Sequence, residues 1–221
     1  MNTTTTIHDA LLDVRKAYRL LADYQQRILE LLGFIREELN ADYYHQLTRN
    51  RLPRNMQGLD VSNNAGQRFL PFNDISVLWL RHTGQEDPVH YHQKNDLLID
   101  VWVRSDTGNG EDNEMVESVE QSRSELRMFF FLCVTPQERQ CNWYSQVWAK
   151  TNYPKLGEVA ICDDNPGYLT YGEAICLSTL TDATTTLDAI KGLRERGRSQ
   201  GPSATPDVRC CHANEVHTSQ H

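Results

Sequence analysis

Apolar residues recur at Ile7, Leu11, Val14, Tyr18, Leu21, Ile28, Leu32, Ile35 and Leu39, in steps of four and three. That period predicts one long amphipathic helix over the first forty or so residues. In heptad terms Ile7, Val14, Leu21, Ile28 and Ile35 fill d, and Leu11, Tyr18, Gln25, Leu32 and Leu39 fill a. Position f is charged throughout, with Asp9, Lys16, Asp23, Glu30 and Glu37, so one side is built for water. Thr6 is the expected amino-terminal cap, with Asp9 well placed in the first turn. The stripe is wider than a two-stranded coil needs, because Ala10, Ala17, Tyr24, Leu31, Ala22 and Leu29 flank it. This width suits a helix packed on a sheet of its own domain. The second reading is an oligomer seam carried by Leu11, Tyr18, Gln25 and Leu32, with polar Gln25 setting register.

Beyond the helix the period falls to two. Ile75 to Leu80 and Asp96 to Arg104 alternate as strands, and Leu126 to Val134 reads as a strand buried on both faces. Trp143 to Lys150 alternates as well. Gly157 to Cys162 and Tyr171 to Leu180 flank the turn-rich Asp163 to Gly167, which predicts a hairpin. Tyr43, Tyr44 and Leu47 are read as a short helical continuation. A last helix starts from Thr181 or Asp182 and runs through Leu187, Ile190 and Leu193. The order helix, strands, helix predicts an α+β domain. Its long amino-terminal amphipathic helix packs on a mostly antiparallel sheet of about five or six strands, with a short carboxy-terminal helix closing the order. The expected domain spans 1–197, with an acidic insert at 105–124 and a disordered tail at 198–221.

A length of 221 residues fits one domain with a tail. The net charge of −8 argues against a nucleic-acid partner, despite local basic runs at Arg49, Arg51 and Arg54 and at Lys191, Arg194, Arg196 and Arg198. The longest apolar run, Met128 to Val134, is too short to span a bilayer. No apolar signal core follows the start, so the expected location is the cytoplasm, with Cys133, Cys141, Cys162, Cys176, Cys210 and Cys211 as reduced thiols.

Candidate chemistry is sparse. No nucleophile-elbow, dinucleotide or phosphate-loop motif is present. No cofactor is expected from the motifs, and the one metal candidate is a divalent ion held by His82, His90 and His92. Two imidazoles two residues apart on an extended segment reach the same side, as a hydrolase or oxygenase site requires. The tail cluster Cys210, Cys211, His212 and His217 lacks paired metal-ligand spacing. The expectation for function is a non-catalytic binding or interaction protein. It presents a sheet face carrying Trp102, Trp148, Tyr144, Asp100 and Arg104, or the loop at 49–74, to another protein, to a second copy or to a small ligand. The alternatives are the metal enzyme and a homo-oligomeric subunit assembled through the first helix.

Overall fold

The computed structural model describes residues 6–48, 75–108, 117–162 and 164–200. The first helix, α1 (Ile7–Glu38), runs 32 residues, about 48 Å. Thr6 caps it as expected: its hydroxyl accepts from the Asp9 amide, and the Asp9 carboxylate reaches back to the Thr6 amide. The helix ends at Asn40, whose φ of 48° is the left-handed conformation that asparagine tolerates. The amides of Asn40 and Ala41 return to the carbonyls of Glu37 and Arg36, closing the last turn. The helix therefore cannot continue through Tyr43, Tyr44 and Leu47, which form strand β1 (Asp42–Thr48) instead. Chain reversal at Asn40 overrides the local spacing.

Strands β2 (Ile75–Arg81), β3 (Leu97–Arg104) and β4 (Glu125–Cys133) follow, then β5 (Val159–Cys162) and β6 (Asn165–Cys176). They form one six-stranded sheet in the order β1-β2-β3-β4-β6-β5, antiparallel at every junction. β5 and β6 pair antiparallel, as the expected hairpin around Asp163 to Gly167 requires, and β6 begins already at Asn165. The last helix, α2 (Ala183–Gln200), opens with Asp182 accepting from the Thr185 amide and extends three residues past the expected domain boundary at 197. The protein is an α+β fold.

Alternation decides what each strand gives to each face. On the helical face lie Trp79, Leu97, Ile99, Val101, Val103, Leu126, Met128 and Leu132. Against them pack Ile28, Leu32, Ile35 and Leu39 of α1 and Ile190 and Leu193 of α2. The second basic run fastens α2 in place. Arg194 donates to the Glu38 carbonyl at the end of α1, and Arg196 pairs with Glu173 through two nitrogens. On the opposite face lie Leu78, Leu80, Leu98, Phe129, Phe131 and Cys133, with Cys162 of β5 and Tyr168 of β6 in the same cluster, covered by Cys141, Trp143 and Val147. No helix among the described residues is long and apolar enough to cross a membrane.

The segment expected as a strand at 143–150 is helical. Trp143–Val147 makes a π-helical turn, continued by a single tight turn at Trp148–Lys150. Asn142 caps it by accepting from the Ser145 amide. Trp143 and Val147, four apart, both enter the core, a spacing that places them on one face of a helical turn and equally on one face of a strand.

Gly172 sits opposite Phe129, and a Cβ there would run into the buried phenyl ring. Gly172→Ala should lower stability by about 2 kcal/mol through overpacking, read as a lower urea midpoint with unchanged slope.

Candidate functional site

The strand residues of the predicted binding face come together as the alternation requires. Asp100, Trp102 and Arg104 of β3 share the face opposite the helices, with Phe129, Arg127 and Glu125 of β4 directly across. Two guanidinium groups lie over the Trp102 ring, Arg104 at 5.1 Å and Arg127 at 5.2 Å from its centroid. Arg127 is also paired with Glu125 at 2.6 Å.

Asp100 is fully buried. One of its oxygens accepts from the Trp148 indole at 2.8 Å and from the Tyr153 hydroxyl at 2.5 Å. Burying a carboxylate is costly unless donors meet it, and these two donors come from the segment that covers the sheet. Asp100 is thus a fastening for 148–153 rather than an exposed group. Tyr153 escaped the sequence reading. It lies 53 residues from Asp100, and only the fold lays its ring on Phe129, with centroids 4.3 Å apart.

Around the π-helical turn the aromatic side chains reach the surface. Tyr144 stacks on Trp148, with centroids 5.2 Å apart and planes at 20°, and His45 of β1 lies 5.0 Å from Tyr144. The Tyr44 hydroxyl bonds to the Tyr144 backbone and the Asn142 side chain. The resulting ledge of Tyr44, His45, Tyr144 and Trp148 is part-exposed, and exposed Ser145 and Gln146 border it. Tyr44 and His45 carry no sequence signal for this role, because a β-bulge at Tyr44 sets how both side chains leave the strand.

The three candidate metal histidines do not converge. His82 points to Asp42, 3.4 Å away, beside a cleft of about 390 Å³ lined by Arg36, Glu37, Asn40, Ala41, Asp42 and His82. His90 is held through Nδ1 by Asp87 at 3.1 Å, and its Nε2 accepts from the Asn142 side-chain Nδ2 at 3.2 Å. His92 is buried and stacked on Trp143, with centroids 3.9 Å apart. Asp96, near them in sequence, accepts from the Thr83 and Gln93 amides and from Gln85. No group of three or more His, Cys, Asp or Glu among the described residues is arranged to hold a metal ion. The loop at 49–74 and the tail cluster Cys210, Cys211, His212 and His217 lie outside the described residues, as do Arg49, Arg51, Arg54 and residues 109–116 of the acidic insert.

His92 belongs to a polar network inside the core. The Val89 carbonyl can only accept, so Nε2 carries the proton and donates to it at 3.1 Å. Nδ1 then accepts from the Tyr168 hydroxyl at 2.6 Å. The Cys133 and Cys141 thiols bond to the same hydroxyl. Burial pushes the Cys133 thiol up to about 12 and raises Tyr168 as well, so both stay protonated. Burial also holds His92 below its ordinary value, keeping the imidazole neutral.

Two outcomes follow from this geometry. Asp100→Ala should cost about 3 kcal/mol and shift tryptophan emission to the red, because the donors of Trp148 and Tyr153 lose their acceptor. His92 predicts acid sensitivity. The unfolded chain takes up the imidazole proton first, so stability is full above about pH 6.5 and falls as pH drops toward the lowered folded value. His92→Asn should be less stable than the parent at pH 7.5 but lose less between pH 7.5 and 5, measured by urea unfolding at both.

The family model of PM0109 matches residues 4–202, which takes in every described element. A protein of Pasteurella multocida (strain Pm70), named "Uncharacterized protein PM0109", is 39% identical over 193 residues, covering 85% of this chain and 92% of its own length. No solved structure matches. The chain belongs to the PM0109 family.

Proposed function

We propose that this protein works by binding another protein through the aromatic ledge of Tyr44, His45, Tyr144 and Trp148, backed by Trp102 and Arg104. The observation that carries this reading is the stacked, part-exposed pair Tyr144 and Trp148, set at the rim of a core that holds their bases rigid. Aromatic side chains fixed in this way offer large contact area at small entropic cost, and they are enriched at the centres of protein interfaces. The fitting partner presents apolar or aromatic side chains with amide or hydroxyl groups, to meet Ser145 and Gln146 at the border. The buried thiols of Cys133 and Cys141, hydrogen-bonded as donors to Tyr168, support a reducing compartment such as the cytoplasm.

The test is affinity capture from an extract of the source cells with the full chain and with a His45→Ala, Tyr144→Ala variant. Neither residue is fully buried, so the variant should keep its far-ultraviolet circular dichroism and melting temperature. The expected outcome is a specific bound protein whose recovery falls at least tenfold with the variant. Equal recovery on both baits, or an unfolded variant, would count against the ledge as a binding surface.

A further inference from the structure

The apolar stripe of α1 continues beyond the sheet that it covers. Ile28, Leu32, Ile35 and Leu39 are buried, and the Tyr24 hydroxyl bonds to Ser105 at 2.9 Å where the helix leaves the domain. Toward the amino terminus the same stripe stands in solvent: Ile7 is 83% exposed, Leu11 53%, Val14 48% and Tyr18 72%. Ala10, Ala17 and Ala22 flank it, and Asp9, Lys16 and Asp23 lie on the far side. Among globular chains a contiguous apolar strip of this kind marks a contact surface.

We propose that the projecting half of α1, Ile7 to Gln25, pairs antiparallel with the same segment of a second copy, making a two-fold dimer. This inference is independent of the aromatic ledge. Three observations favour a second copy running in that direction. The strip is continuous with an interface already made within the chain, the packing of Ile28 to Leu39 on the sheet. The segment spans about 27 Å, and pairing along it covers roughly 1,000 Å² in total, the scale that a specific interface requires. Direction follows from which side the stripe faces. From Ile28 onward the stripe rests on its own sheet, so a parallel partner helix would run on from its Gln25 into that sheet. An antiparallel partner ends there, and its own domain lies beyond Ile7.

Antiparallel pairing sets a against d. Leu11 of one copy meets Leu21 of the other, Val14 meets Tyr18, and Ile7 meets Gln25. Gln25 then lies at the end of the seam, where its amide stays in water, and the alanines beside the seam let the two backbones approach.

Sedimentation equilibrium of the full chain should give twice the 25.5 kDa of one copy. Leu11→Asp with Val14→Asp should give a folded monomer, its far-ultraviolet circular dichroism kept because both side chains are exposed within one copy, and its melting temperature no longer dependent on protein concentration. A monomeric parent at 100 µM, or a variant that remains dimeric, would overturn the pairing. Direction is read by cross-linking on a background with Cys176, Cys210 and Cys211 replaced by serine. His8→Cys with Ala22→Cys on one chain should yield a covalent dimer on oxidation, and neither single variant should. A covalent dimer from either single variant, or none from the double, would overturn the antiparallel register.

Discussion

The central strand pair β3–β4 is buried on both sides, and most of the architecture answers to that condition. A strand covered on one face can turn polar residues outward at every second position. Here the second face is covered as well, by 141–153, so each polar group beneath that cover must find a partner inside. Asp100 meets the requirement with Trp148 and Tyr153, and His92 meets it with Val89 and Tyr168. These bonds also hold the cover in place. The irregular segment keeps one position because its donors are spent on fixed acceptors in the sheet and in the neighbouring loop.

The helical face is simpler, since packing alone suffices there. Leu32 and Ile35 of α1 and Ile190 and Leu193 of α2 cover Ile99, Val101 and Met128 without polar pairing at the centre. The ion pair of Arg196 with Glu173 and the bond from Arg194 to Glu38 sit at the margin, where they fix the angle of α2. The carboxy-terminal part of α1 belongs to the domain. Its amino-terminal part is an arm whose stripe is bare.

How much was legible depended on the range of the interaction. The capping box at Thr6 and Asp9, the Asp182 cap and strands β2, β3 and β4 are written in neighbouring residues, and each forms where the pattern places it. The grouping of Asp100, Trp102 and Arg104 is equally local, since residues two apart share a face. Trp148 and Tyr144 also reach that face, although by a helical turn rather than a strand. The period-two reading of 143–150 failed because bulky apolar residues at Trp143 and Val147 satisfy either period, and the Asn142 cap decides between them.

The sequence by itself determined the α+β class, the element order and the amphipathic stripe, because hydrophobic period and capping act within a few residues. It also determined that Asp100 shares a face with Trp102. Tertiary structure alone decided that Asp100 is a buried fastening, that His92 is a neutral core group turned from His90 and His82, and that only half of the α1 stripe is covered. Those outcomes depend on which distant segment arrives to supply a donor, a ring or a sheet, and no local period encodes that arrival.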